Sequence, residues 1–370
     1  MGAVAGSFTP VARPGATTNG QATDKAGGAV TAVKLGRKAT EGTVIETVNL
    51  NKYYGHVHAL RNLSLQVYEG DVFGFLGPNG AGKTTFTKCL LGFIRPTSGW
   101  VYLFGHEVRG RDRRALERVG IVPDQFGFYD PLSGRQHLEF YGRIYGIAPR
   151  DLEERIEQLT RLVRLEHRMD ARVRTYSHGM RQRLVIAQAL LNDPDLIIFD
   201  EPTTGLDPKG AFEVRQLLKD LAGKGVTTFL SSHILTEVEE ICNKVAIMNR
   251  GVLLKVARVQ DLQREFTETA GDRVEIRVDN PSTSLTDTVA AFRGVRHVEA
   301  EGTLIVATIG EPEHVPDLIH AVVGAGGRVR EVREKRVTLE EMFLHYTDDG
   351  QSPGANVRPK VPEGVYQGVS

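Results

Sequence analysis

With 370 residues, 41% hydrophobic and 25% charged, the chain has a globular composition and the length of two domains rather than one. Lys+Arg and Asp+Glu are both 46, and that zero net charge argues against a nucleic-acid or anionic-membrane surface. Its two cysteines, Cys89 and Cys242, lie far apart with no Cys/His cluster nearby, which argues against a disulfide framework or zinc site and fits a reduced, cytoplasmic compartment.

No apolar stretch nears the ~18 residues of a spanning helix, and the N-terminus lacks the basic start and apolar block of a signal peptide. Residues 1–42 are rich in Gly, Ala and Thr and read as a disordered leader. From 43 to 255, short apolar runs alternate with helical patterns. Val72–Leu76 precedes a helix from Gly82, Leu196–Phe199 a helix after Pro208, and Thr227–Leu230 a helix from Ile234. Continuous apolar runs separated by helices predict parallel strands covered on both faces, an α/β core. Residues 271–346 read differently, as βαββαβ. Val274, Ile276 and Val278 alternate as in a strand, and Leu285, Val289 and Phe292 follow helical spacing. Short strands at about 295–300 and 303–309 precede a second helical stripe from Val315 to Val323 and a last strand at Val329 and Val332. This order predicts a small α+β domain of ferredoxin-like type. Residues 351–370, rich in Pro and Gly, read as a disordered tail.

Gly77-Pro78-Asn79-Gly80-Ala81-Gly82-Lys83-Thr84 fits the P-loop pattern, with an apolar strand before it and a helical stretch after. Glycines let backbone amides wrap a phosphate at a helix N-terminus. Lys83 would reach the β- and γ-phosphates of ATP, Thr84 would offer its hydroxyl to Mg²⁺, and Thr85 extends the cradle. Alone, the loop could be a Gly-rich turn with an incidental lysine. Leu196–Phe199 runs into Asp200 and Glu201. Acids ending a buried strand are costly unless metal or solvent meets them. Asp200 would then hold Mg²⁺, and Glu201 would act as general base on the attacking water. The bland alternative is an acidic cap on the next turn.

Tyr176-Ser177-His178-Gly179-Met180 narrows the reading. It resembles the signature loop, usually Leu-Ser-Gly-Gly-Gln, and with the P-loop and the acid pair it makes residues from about 44 to 255 resemble the nucleotide-binding domain of ABC transporters. Ser177 and Gly179 match; Tyr176, His178 and Met180 depart, and His178 reads as a tolerated surface variant. The resemblance implies a P-loop ABC ATPase core with a helical subdomain. It implies that Tyr54 stacks on adenine, with Tyr53 as competitor, and that Asp207, in Gly205-Leu206-Asp207, lies across a dimer partner. It also implies that His233, in Ser231-Ser232-His233, contacts the γ-phosphate. In Val122-Pro123-Asp124-Gln125, Asp124 takes the place of the usual glutamine and Gln125 follows, so either could serve the nucleotide and Asp124 the metal shell. The resemblance further implies that residues 126 to about 146 belong to the helical subdomain that meets a membrane subunit.

In this family the P-loop of one subunit faces the signature loop of another, so a complete site implies an ATP-dependent homo- or heterodimer. The βαββαβ unit with its Thr338-Leu339-Glu340-Glu341-Met342-Phe343-Leu344 ending resembles the accessory domain of ATPases serving ABC-2 type exporters, whose permease is a separate chain. That implies a cytoplasmic protein held at the inner face of the membrane by its partner. The alternatives are an ABC ATPase of a soluble machine, or a regulatory subunit that does not hydrolyse.

Overall fold

The computed structural model describes residues 42–109, 114–270, 272–310, 314–335 and 338–348. The expected leader, apart from Gly42, and the expected tail lie outside the described residues. In chain order the elements are β1 (Thr43–Tyr54), β2 (Val57–Tyr68), β3 (Val72–Leu76), α1 (Lys83–Leu90), β4 (Ser98–Leu103), β5 (His106–Glu107), β6 (Val119–Val122), α2 (Gly134–Ile144), α3 (Pro149–Leu162), α4 (His178–Leu190), β7 (Leu196–Asp200), α5 (Pro208–Ala222) and β8 (Thr227–Ser232). There follow α6 (Leu235–Ile241), β9 (Lys244–Asn249), β10 (Val252–Arg258), α7 (Val259–Ala270), β11 (Asp272–Val278), α8 (Thr283–Ala290), β12 (Val295–Glu301), β13 (Leu304–Ile309), α9 (Val315–Gly324), β14 (Val329–Lys335) and α10 (Leu339–Asp348). The chain divides into two compact units: the described residues up to 72 with 84–231, and 73–83 with those from 232 onward.

In the first unit, β6, β7 and β8 pair in parallel, and every residue of β7 and β8 is buried, as their unbroken apolar runs predict. The expectation of parallel strands throughout 43–255 is corrected here. Strands β1, β2, β4 and β5 form a separate four-stranded antiparallel sheet in the order β2-β1-β4-β5. Bulges hide its alternation, because β1 slips register against β2 between Thr47 and Leu50, where Asn49 takes a φ of 47°. Gly99 meets this bulge: its φ is +87°, and a Cβ there would sit 2.2 Å from the Asn49 carbonyl oxygen.

The helical layer is α2, α3 and α4. A capping box starts α2, with Ser133 Oγ accepting from the Gln136 amide at 3.2 Å and Gln136 Oε1 accepting from the Ser133 amide at 2.9 Å. Helices α2 and α3 approach so closely at Gly142 that a Cβ would lie 2.2 Å from a methyl of Leu152.

In the second unit, β3 pairs in parallel with β9, which turns antiparallel into β10. Its C-terminal strands form an antiparallel sheet in the order β12-β13-β11-β14. Val274, Ile276 and Val278 of β11 are buried with Leu285 and Val289 of α8 and Leu318 and Val322 of α9, in one core. Each such side chain contributes about 1.5–3 kcal/mol of burial. The sequence pattern located these elements closely, although Phe292 falls just past the end of α8 and packs against the core from there.

Candidate nucleotide-binding site

Strand β3 is buried throughout and delivers the chain into the loop from Gly77 to Gly82. The loop's curvature needs glycine at two points: Gly80 has a φ of +80° and Gly82 of +111°. Gly77 is fixed by proximity instead, since a Cβ would lie 2.7 Å from the Met248 carbonyl oxygen. The Ala81 amide donates to the Pro78 carbonyl at 3.1 Å, and Gly251 donates to the Ala81 carbonyl at 2.8 Å. Lys83 opens α1, is 6% exposed, and donates from Nζ to the Gly77 carbonyl at 2.7 Å. Its ammonium is thus folded back across the loop that a phosphate would fill. Pro78, Asn79 and Gly80 are exposed at the rim, as is Thr84, while Thr85 is half-buried.

Asp200 ends β7 at 8% exposure and accepts a hydrogen bond from the fully buried hydroxyl of Ser231 on β8. The Ser231 carbonyl accepts from the Glu201 amide at 3.0 Å. One residue thus fixes both acids, through its side chain and its backbone. Glu201 has a φ of +52°, a left-handed conformation costing a non-glycine residue roughly 1–3 kcal/mol. It turns the Glu201 side chain out of the strand direction, half-exposed, with Thr204 Oγ1 donating to Oε2 at 3.4 Å. Sequence reasoning marked the two acids but missed Ser231 and the backbone strain. The Ser-Ser-His run at a strand end was the available signal for Ser231. His233 stands exposed just after β8, in a turn shaped by Ser232 Oγ accepting from the Ile234 amide at 2.9 Å.

The donors suit magnesium rather than a softer ion. Among the described residues no cluster of three or more His, Cys, Asp or Glu side chains could hold a metal by itself. The hydroxyl of Thr84 and the carboxylate of Asp200 are hard oxygen donors of the kind that bind Mg²⁺ together with waters and nucleotide phosphates.

Ser177 caps α4, its Oγ accepting from the Met180 amide at 3.3 Å. Asp207 caps α5, its Oδ1 accepting from the Gly210 amide at 3.0 Å. These two turns adjoin, since a Cβ at Gly179 would lie 3.7 Å from Gly210 Cα and 3.9 Å from Leu206. The departure at Tyr176 has a structural reason. Its ring is 5% exposed, its hydroxyl donates to the Arg168 carbonyl at 2.6 Å, and Gly134 leaves room for it. Asp124 and Gln125 are both exposed beyond β6. Tyr53 already stacks on His58, with centroids 3.9 Å apart, whereas Tyr54 lies beneath Lys52 Nζ at 5.0 Å.

The ABC transporter family model matches residues 60–204. A Nod factor export ATP-binding protein I of Cupriavidus metallidurans is 39% identical over 305 residues, covering 82% of this chain and 97% of that protein. The daunorubicin resistance ATP-binding protein DrrA3 of Streptomyces coeruleorubidus is 34% identical over 310 residues, covering 83% and 96%. Among solved structures, one described as the ATP binding subunit of an ABC transporter is 29% identical with a TM-score of 0.55, covering 60% of this chain and 93% of its own. On these likenesses, the chain belongs to the ATP-binding proteins of the ABC transporter family.

Proposed function

We propose that this chain hydrolyses ATP as the nucleotide-binding subunit of an exporter-type ABC transporter and drives a separate membrane subunit. The observation that carries the reading is the acid pair at the end of β7, with Asp200 held by Ser231 and Glu201 turned out by its positive φ. Such a pair beyond a P-loop strand suits phosphoryl transfer to water.

In this reading, backbone amides from Gly77, Pro78, Asn79, Gly80, Ala81 and Gly82, with Thr85, surround the phosphates of ATP. Tyr54 stacks on the adenine, the ring of Tyr53 being engaged with His58. Lys83 leaves the Gly77 carbonyl to meet the β- and γ-phosphates. Magnesium held by Thr84 and Asp200, with Asp124 near its water shell, would neutralise phosphate charge. Glu201 orients the attacking water and draws its proton, while His233 and Lys83 face the charge that develops on the γ-phosphate. Gln125 is the second candidate for the contact assigned to Asp124.

Ser177 and Gly179 address the nucleotide of a second subunit, and Asp207 lies against that subunit, so two chains, identical or related, complete two sites head to tail. Among the described residues no helix is long and apolar enough to cross a membrane. The exposed Tyr129, Phe140, Ile144 and Tyr145, on and around α2, offer a face on which a membrane subunit would dock at the inner side of the membrane. The Nod factor export names among the relatives support an exporter. The antiparallel order β12-β13-β11-β14 supports a ferredoxin-like accessory domain over 271–346, which follows an ATPase domain over 43–255 in the chain.

The test is Mg²⁺-dependent ATP hydrolysis over a protein concentration series, beside Glu201→Gln. The expected result is activity per chain that rises with concentration, and a variant that binds ATP and dimerises but scarcely turns over. A variant that neither binds ATP nor dimerises with it would sink the reading.

A further inference from the structure

His178 is the first residue of α4, between Ser177 and Gly179, and its imidazole is exposed. The ring lies nearly parallel to Phe126, with centroids 5.9 Å apart and an interplanar angle of 17°. Phe126 meets Phe128 edge-on at 5.4 Å, and Phe128 meets His137 at 4.9 Å. His137 is fully buried, and its Nε2 lies 2.8 Å from Gln188 Oε1, back on α4. Residues 126–128 are therefore tied to α4 at two levels, about 15 Å apart at 1.5 Å per residue. The ring series continues through Tyr141, at 4.9 Å from His137, to Phe140 at 5.3 Å, and Phe140 meets Tyr129 at 5.5 Å. It thus runs from the signature turn to the exposed aromatic face on α2.

We propose that His178 is a positioning residue: its stack on Phe126 locks the segment after Asp124 and Gln125 to the N-terminus of α4. The signature turn and the Asp124-Gln125 segment then move as one body when two subunits close on ATP. This rests on the ABC ATPase reading, in which Ser177 and Gly179 address a second subunit's nucleotide. The ring works by its face and not by its charge, because the face is what Phe126 engages. Breaking the stack lets the two segments shift separately, so closure costs more while the P-loop's own hold on ATP is untouched. An aromatic pair of this kind is worth about a two- to tenfold change in an equilibrium constant per site.

The experiment measures ATP-driven dimerisation by sedimentation in the Glu201→Gln background, together with ATP affinity at protein concentrations too low for dimers. Glu201→Gln alone is the reference: if it fails to dimerise with ATP, the underlying reading falls and not this proposal alone. Given a dimerising reference, His178→Ala is expected to weaken dimerisation about two- to tenfold per site with unchanged ATP affinity. His178→Phe, which keeps a ring and lacks ionisable nitrogens, is expected to restore it. Phe126→Ala should match His178→Ala, and the double variant should be no worse than either single one. The proposal is overturned if His178→Ala dimerises like the reference. It is equally overturned if His178→Phe fails to rescue while Phe126→Ala is silent, since the imidazole would then act through its nitrogens.

Discussion

Replacing Ser231 with alanine removes one hydroxyl from a fully buried position and deprives Asp200 of a donor. A hydrogen bond to a charged acceptor contributes about 1.5–3 kcal/mol net. At roughly 2–4 °C per kcal/mol for a unit of this size, Ser231→Ala should melt about 3–12 °C below wild type. The Glu201 amide still donates to the backbone carbonyl of residue 231, so Glu201 keeps its orientation. The catalytic loss should therefore appear mainly as a higher magnesium requirement, about tenfold for each 1.4 kcal/mol, with turnover at saturating magnesium much less affected. Thr204→Ala is the control, because Thr204 makes a longer, more exposed bond to Glu201 at 3.4 Å. Its melting loss should stay within about 0.5 kcal/mol. Thermal melts and ATPase rates across a magnesium series measure both quantities. A Ser231→Ala protein that melts like Thr204→Ala, with an unshifted magnesium curve, would refute the assignment of Ser231 as the anchor of Asp200.

Three further outcomes are expected. Glu201→Gly should abolish turnover yet melt no lower than wild type, because glycine relieves the φ of +52°; a loss above about 1 kcal/mol would show that the conformation carries no strain. Gly99→Ala should cost more than about 2 kcal/mol, since its Cβ would meet the Asn49 carbonyl at 2.2 Å in a left-handed conformation, and a mild melt would overturn that reading. Burial, only partly offset by Gln188, holds His137 below its ordinary value of 6.5. As pH falls below 6.5 the unfolded chain takes up the proton first, so stability is whole above that value and is lost down through the depressed folded one. Denaturant melts of wild type and His137→Gln at pH about 7.5 and 5.5 should show a steeper loss in wild type, and parallel losses would exclude His137 as the source.

The elements built on unbroken or strictly periodic apolar runs were legible in the sequence. Leu196–Phe199 and the Val274-Ile276-Val278 alternation each state their burial in residue type alone. The β1–β2 hairpin was not, because bulges at Asn49 shift the alternation from one face to the other. The P-loop and acid-pair motifs are legible in the sequence because the chemistry proposed for them depends on residue identity at fixed spacing. The run Ser231-Ser232-His233 marked a strand end, but the bond from Ser231 to Asp200 was hidden because it depends on β7 and β8 lying side by side, a pairing that local sequence does not encode. The Phe126–His178 stack was hidden for the same reason, since 52 residues separate its partners (178 − 126). The reading of His178 as a tolerated variant could not have foreseen that contact.

The last described helix has a consequence for synthesis. Helix α10 buries Leu339 and Met342, packs on α6 and α7, and donates its Leu339 amide to Glu239 of α6 across 100 residues of chain, at 3.5 Å. At the usual 5–20 residues per second, the ribosome takes about 5–20 s to make that stretch. During that interval α6, the helix beside His233, has emerged without its cover. The apolar surface reserved for α10 is then open to chaperones and to other nascent chains, and it closes only once α10 has itself left the ribosome.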